Sequence, residues 1–398
     1  MAGRKTARSE ATIHSQYNGA MTIFDYQVGP AKTAKANTPN NNPTANNNQA
    51  KSATGSSVAT YGDLMKQLEQ PLFRAKQLAQ WLWVHRANNY DEMTNLPADL
   101  RDKLKTAAPL KRAMAEKVVK SKDGTRKYLI RFADGTSVEA VGLPSIDDPA
   151  CADSTKRLTV CISTQAGCSL ACVFCATGRS GLIRNLSAGE IAEQVRIVGE
   201  GFKLRVSNVV VMGQGEPFQN YNATLAGLRI LNAAEAEGGF GIGARRITIS
   251  TSGIVAGIRR LADEPEQFTL AVSLHSAIQE TRDKLMPGLA SNNLNRLATA
   301  LLDYWKATHR RPSLEYALID DVNTSAAETA ALISFAQRTK AHVNLIPLNA
   351  TDANLKAATQ VEASKLSGAL RDAGIEASIR AERGADIKAA CGQLTQAE

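Results

Sequence analysis

Three thiols fall within eight residues in Cys168-Ser-Leu-Ala-Cys172-Val-Phe-Cys175, a C-x3-C-x2-C spacing. Thiolates are the ligands of iron–sulfur clusters, usually four to a cubane. A local set of three predicts a cubane with one iron left open. An open iron can take a further ligand, and that turns an electron carrier into a catalyst. Zinc is the competing reading, but structural zinc prefers four tetrahedral ligands from two separated pairs. Only one C-x2-C pair is present here, and the other nearby thiols are Cys151 and Cys161. The cluster is therefore favoured over zinc.

Further polar residues stand where chemistry would need them. Val209-Val-Val-Met-Gly213-Gln-Gly215-Glu216-Pro217 places glycines after an apolar run, where the backbone can approach a ligand closely. It is no dinucleotide fingerprint, because Phe218 stands where the third glycine would be. Ser250-Thr-Ser-Gly253, Ser273-Leu274-His275 and Asn349 follow other apolar runs. Each is a helix cap in the bland reading; together at one end of a barrel they make a polar ring suited to a nucleoside and an amino acid. Cys391 is remote in sequence and Cys161 precedes the triplet. By spacing alone, a lone thiol is more often an inert buried one than a catalyst.

The elements that must position these residues alternate. Candidate strands are Leu158–Ser163, Asn208–Met212, Arg246–Ser250, Thr269–Leu274, Leu314–Ile319, Val343–Leu348 and Glu376–Ile379, with helical stretches such as Ser187–Val198 and Asn222–Ala234 between them. Repeated βα units predict an α/β fold, a parallel sheet curled into a partial (β/α) TIM-like barrel over residues 154–387, with its site at the C-terminal strand ends. Residues 59–112 read as a small helical domain, with helices opening near Pro71 and Pro97. Trp81 and Trp83 are interleaved there with Arg74, Lys76 and Arg86. Aromatics among basic residues can stack on unpaired bases, although at least one tryptophan is expected in the core. Residues 113–153 read as a β-hairpin and linker around Asp134-Gly135. Residues 1–58 read as a disordered, Asn-rich tail, and 388–398 as a C-terminal segment carrying Cys391.

The chain has 398 residues, is 43% hydrophobic, and carries a net charge of +9. Roughly four of those charges fall in the first 58 residues and three in the next 54. This permits a polyanionic partner such as RNA. No apolar run reaches membrane-spanning length. Thiols crowded in a long chain without a secretory signal argue for metal binding or redox chemistry rather than disulfides. The expected location is the cytoplasm; the basic, acid-poor opening would also suit organelle import.

The triplet is the signature of radical S-adenosylmethionine (SAM) enzymes. Its surroundings from Tyr61 to Leu394 resemble the RlmN-type rRNA/tRNA adenine-C2 methyltransferases of that superfamily. The resemblance rests on Phe73-Arg-Ala-Lys-Gln-Leu-Ala-Gln-Trp-Leu, Asp91-Glu-Met-Thr-Asn-Leu, the triplet, Arg184-Asn-Leu, Gly213-Gln-Gly-Glu-Pro, Ser250-Thr-Ser-Gly, Ser273-Leu-His and Arg383-Gly…Ala-Cys391-Gly-Gln. It implies one [4Fe-4S] cluster on Cys168, Cys172 and Cys175, and two SAM molecules per turnover. It implies SAM contacts from Gly215, Glu216, Ser250, Ser273, Leu274, His275 and Asn349. By the same resemblance, Cys391 carries a methyl group, a radical made from the second SAM activates it, and the resulting carbon adds to adenine C2. Glu139 is then the proton acceptor, and Cys161 resolves the adduct through a transient disulfide. The implied partners are rRNA, tRNA and a flavodoxin-like or other one-electron donor, with the protein acting as a monomer away from membranes.

The sequence departs from that pattern in places. The loop before Cys161 looks long and adds Cys151, read as incidental, and its length bears on how Glu139 is placed. Gln214 stands where the family commonly has methionine, and the expectation is that backbone contacts survive. Two rival functions are weighed. A sister activity methylates adenosine C8 with the same cysteines and confers antibiotic resistance; base rate and overall likeness favour C2. A non-enzymatic RNA-binding protein with a structural metal is the rival from another class.

Overall fold

The computed structural model describes residues 21–27, 58–145, 157–290, 292–349, 355–381 and 383–395. The Asn-rich run and Cys151 lie outside them, as does most of the long loop before Cys161.

The helical module holds α1 (Tyr61–Gln67), α2 (Phe73–Ala79) and α3 (Ala98–Ala107). Thr60 and Asp63 close a capping box at the start of α1, and Pro97 precedes α3. The helix expected from Pro71 begins at Phe73 and runs into a π-helical turn, Gln80–Val84. Trp83 is 1% exposed, with its indole N–H donating to Tyr61 Oη over 3.1 Å. Trp81 is half-buried and donates to Asn95 Oδ1. One tryptophan is thus core, as expected.

The expected disordered tail needs correction at residues 21–27. Thr22 and Asp25 cap a single 3-10 turn, Ile23–Asp25, and Ile23, Phe24 and Tyr26 are buried in the main core. Gln27 forms a β-bridge with Thr60. Gly189 makes room for the turn, since a Cβ there would come within 2.6 Å of Phe24. Three large apolar side chains within four residues bury enough surface to offset the entropy of ordering so short a segment.

Beyond the module, β1 (Met114–Lys120), β2 (Arg126–Arg131) and β3 (Ser137–Pro144) form an antiparallel meander. It is more than the hairpin and linker expected over 113–153. Strand β3 continues into the barrel sheet by pairing antiparallel with β4 (Leu158–Cys161), with Val141 opposite Cys161.

Next come a small ribbon, β5 (Gln165–Gly167) and β6 (Leu182–Asn185), and the short helix α4 (Ala176–Arg179). The barrel proper then adds α5 (Ala188–Phe202), β7 (Val206–Val211), α6 (Tyr221–Asn232), β8 (Ile247–Thr251), α7 (Val255–Ala262) and β9 (Thr269–Ser273). It ends with α8 (Gln279–Leu285), α9 (Leu294–Thr308), β10 (Ser313–Leu318), α10 (Ala326–Thr339), β11 (His342–Pro347), α11 (Gln360–Asp372) and β12 (Ala377–Ile379). All seven expected barrel strands are present. They run parallel in the order β4-β7-β8-β9-β10-β11-β12 within a ten-stranded sheet whose edges are β1 and β12. With helices outside and side chains within, β10 is buried along its whole length, as parallel strands covered on both faces are.

Phe24→Ala should lower stability by about 3 kcal/mol, the usual cost of an aromatic truncation in a core. Chemical denaturation of the full chain measures it; an unchanged midpoint would show that the turn is not part of the folded unit.

Candidate active site

The C-terminal ends of the barrel strands surround one cavity. Cys168, Cys172 and Cys175 line it together with Gly213, Gly215, Glu216, Ser250, Ser252, Ser273, His275, Glu315, Asn349, Arg380 and Cys391. A second cavity shares Met212, Asn349, Arg380, Cys391 and Leu394 with the first and is lined also by Cys161. Cys391 therefore stands on the wall between the three thiols and the fourth.

Backbone hydrogen bonds shape the triplet loop. Cys168 N–H donates to Gly181 O, Val173 N–H to Leu285 O and Gly288 N–H to Leu170 O, which ties the loop to β6 and α8. At the glycine-rich loop, a Cβ on Gly213 would lie 2.7 Å from Ile162 O, and one on Gly215 (φ +95°) 2.5 Å from Gln165 Cβ. Only glycine lets these backbones pass so close. Gln214 keeps the backbone contacts, as expected: its N–H donates to Ser163 Oγ and its carbonyl accepts from Thr164 N–H. Its side chain adds a link to β3 by accepting from Glu139 N–H. Glu216 is buried, yet its carboxylate accepts from Thr251 Oγ1, Phe218 N–H and Ser252 N–H at 2.7–2.9 Å.

Cys391 is placed by the last residues of the chain, and the strand meander receives them. Arg383 Nη1 donates to Pro144 O at the end of β3. Gly384 N–H donates to Asp123 Oδ2, and Ser121 Oγ donates to Asp386 Oδ1, both in the β1–β2 turn. Around the thiol, Asn349 Nδ2 donates to Cys391 O, Ala176 N–H to Gly392 O and Thr177 Oγ1 to Leu394 O. The cysteine's own carbonyl is thereby bonded to β11's loop, and Gly392 and Leu394 just after it to α4.

Burial sets the ionisation of the site. It pushes the Cys161 thiol up to about 12, with Cys391 the next contributor and the Arg380 guanidinium opposing. Burial raises Cys168 to about 11, and also raises Cys172 and Cys391. For Cys391, an exposed residue on both cavity walls, Arg380 is the largest opposing influence. His275 is lowered to about 3 by burial and then by Arg282. Its Nδ1 accepts from Ala317 N–H, so the neutral ring carries its proton on Nε2. Phe174 meets it edge-on, with ring centroids 4.6 Å apart.

Residues 162–308 match the Radical SAM superfamily, and residues 57–110 match the ribosomal RNA large subunit methyltransferase N-terminal domain. A protein of Symbiobacterium thermophilum named "Probable dual-specificity RNA methyltransferase RlmN" is 41% identical over 347 residues, 85% of this chain and 90% of that one. One of the same name in Heliobacterium modesticaldum is 43% identical over 331 residues, 82% and 84% of the two chains. This chain belongs to the RlmN family. The crystal structure of a radical SAM methyltransferase from Sphaerobacter thermophilus aligns with a TM-score of 0.78 at 38% identity, covering 95% of this chain and all of that one.

Membership in the RlmN family brings a [4Fe-4S] cluster and SAM, and the cavity fits both. Three thiols share its wall. Among the described residues, no three Cys, His, Asp or Glu side chains converge where a single ion would sit. A cubane instead needs thiols spread over separate irons. Ser252 Oγ and Asn349 Oδ1 are buried beside the cavity without hydrogen-bond partners, as atoms awaiting a polar ligand would be.

Of the expected SAM contacts, Gly215, Glu216, Ser250, Ser273, His275 and Asn349 stand on the cavity wall. Leu274 does not: it is fully buried and serves through its backbone, whose N–H donates to Glu315 O. Glu139 is not on either wall. It is 3% exposed, its Oε1 pairs with Lys127 Nζ at 2.9 Å, and its Oε2 accepts from Thr395 N–H. Ser252, Glu315 and Arg380 line the cavity without having been singled out. Ser252 lay inside a quoted motif; Glu315 and Arg380 carry no local signal and meet only in space, at 3.5 Å.

Two outcomes are expected. Asp123→Ala should release the C-terminal segment and lower RNA methylation about 100-fold, the scale of a displaced reacting group, while SAM is still cleaved; nucleoside assays and 5′-deoxyadenosine assays read the two. Below its raised pKa the Cys391 thiolate fraction grows about tenfold per pH unit. Its alkylation by iodoacetamide, followed by mass spectrometry of the protein, should therefore climb from pH 7 to 9 without a plateau, and run slower in Arg380→Met at each pH.

Proposed function

We propose that this protein methylates C2 of an adenosine in large-subunit (23S) rRNA and in tRNA near the anticodon, through a methyl group carried on Cys391 and a transient disulfide with Cys161. One observation carries the reading: Cys391 stands on the walls of two cavities, one lined by the cluster thiols and the other by Cys161. The family's RNA methyltransferase name supports the substrate class. The basic N-terminal side of the chain suits a polyanion.

When bound, the cluster on Cys168, Cys172 and Cys175, with a flavodoxin-like or other one-electron donor, and SAM supply a methyl group and a radical route for activating it. Such a route is needed because C2 is an electron-poor ring carbon that will not attack a methyl sulfonium. Gly215, Glu216, Ser250, Ser273, His275 and Asn349 hold SAM at the barrel mouth. The Cys391 thiolate takes the methyl, and Arg380 offsets part of the cost of that buried anion. The target adenine leaves its stack to reach the mouth, and the carbon borne by Cys391 bonds to C2.

The addition leaves one unpaired electron on the purine; Glu139 takes the C2 proton, and that electron would return to the cluster that Cys168, Cys172 and Cys175 hold, so the ring is aromatic again. Burial raises its proton affinity, against Lys127 and the Thr395 N–H. For the carboxylate to act, Thr395 must leave Oε2, so the end of the chain lifts as RNA enters. Cys161 then attacks Cys391 Sγ. The S–S bond forms as the S–CH2 bond breaks, and the electron pair left on the methylene carbon takes a proton to become the methyl group. A thiolate close to the leaving sulfur is what such an exchange needs.

Mass spectrometry of nucleosides from 23S rRNA and tRNA treated with the reconstituted enzyme should find 2-methyladenosine in both; 8-methyladenosine alone would overturn the regiochemistry. Cys161→Ala should accumulate a covalent RNA–protein adduct through Cys391, and Cys391→Ala should form neither adduct nor product. Normal turnover by Cys161→Ala would remove the resolving role.

A further inference from the structure

Arg282, on α8, is fully buried. Its Nε donates to Leu274 O over 3.3 Å and its Nη2 to Ser252 O over 2.5 Å. Its Nη1 has no hydrogen-bond partner. No carboxylate among the described residues forms an ion pair with it. Asp283, next along the helix, has its Oδ1 engaged by Gln279 Nε2. The carbonyls it holds follow β9 and β8, and α8 is tied to the triplet loop by the Val173 N–H to Leu285 O bond and by Leu285 and Met286 packing with Cys172, so the guanidinium lies between the strand ends and the triplet loop.

A guanidinium taken out of water without an anion is costly, and native proteins rarely leave one so. Two carbonyl acceptors orient Arg282 but cannot neutralise it. The triplet loop beside it offers an anion. A cubane held by three thiolates is an anion, and reduction adds a further negative charge. Reduction potentials of such clusters follow net charge and surrounding dipoles.

We propose that Arg282 is the buried counter-cation of the cluster, a positioning residue whose charge makes one-electron reduction of the cluster easier. The proposal rests on the cluster being held by Cys168, Cys172 and Cys175. The same side chain clamps the carbonyl of cavity-lining Ser252 and that of Leu274, which stands between cavity-lining Ser273 and His275. Charge and shape must therefore be separated.

The test is an EPR-monitored redox titration of the anaerobically reconstituted full chain, in the wild type, Arg282→Lys and Arg282→Gln. Lysine keeps the charge; glutamine keeps a donor and loses it. The expected result is a wild-type-like midpoint for Arg282→Lys. For Arg282→Gln the one-electron reduction equilibrium should be at least tenfold less favourable, a shift of 59 mV or more to lower potential. A cluster-loaded Arg282→Gln with an unchanged midpoint overturns the proposal, as does an Arg282→Lys that falls as far as Arg282→Gln. If Arg282→Gln fails to load iron, loading by Arg282→Lys supports the charge role, and failure of both overturns it. Cys172→Ala is the control on the underlying reading: cluster absorbance retained in that variant would remove the ligand assignment itself.

Discussion

The last residues of the chain must be held at the barrel mouth, and the rest of the site depends on that docking. Cys391 sits in a stretch with no strand of its own. Its position comes from single hydrogen bonds to separate elements: Asp123 and Ser121 in the β1–β2 turn, Pro144 at the end of β3, Ala176 and Thr177 in α4, and Asn349 after β11. No one of these is worth more than about 1–2 kcal/mol. Together they fix one thiol against two cavities. The meander is thus part of the active site's support, because its β1–β2 turn and the end of β3 receive the motif that begins at Arg383.

A second constraint is electrostatic. The cavity is lined by groups whose charged forms burial disfavours: the thiols rise, and His275 stays neutral. Two cations stand against this tendency. Arg380 opposes the rise at both Cys161 and Cys391, and Arg282 stands behind the strand ends on the Ser252 and Leu274 carbonyls. The low-polarity surroundings strengthen each of these interactions.

Legibility from sequence divided along physical lines. The barrel strands were legible because parallel strands covered on both faces are continuous apolar runs with polar residues at their ends. The polar ring was legible for the same reason, since strand ends are where a barrel keeps its site. Residues 21–27 were not, because three buried side chains within four residues make too short a run to show helical or strand periodicity. The union of β3 with β4 was hidden by the intervening loop. Arg282, Arg380 and Glu315 were missed because what distinguishes them is a partner, present or absent, far away in sequence. Glu139 was found through a resemblance, but its ion pair with Lys127 is a cross-strand relation no motif records.

The sheet ends at β1 and β12, and among the described residues no strand ladder joins them. What spans the opening is the link from Arg383, Gly384 and Asp386 to the far side of the sheet. The barrel is a bracelet with a clasp of side-chain bonds. Opening a clasp costs a few contacts, while unzipping a parallel ladder would dismantle the core. A bulky polymer can thus be admitted and released by a scaffold whose strands never part.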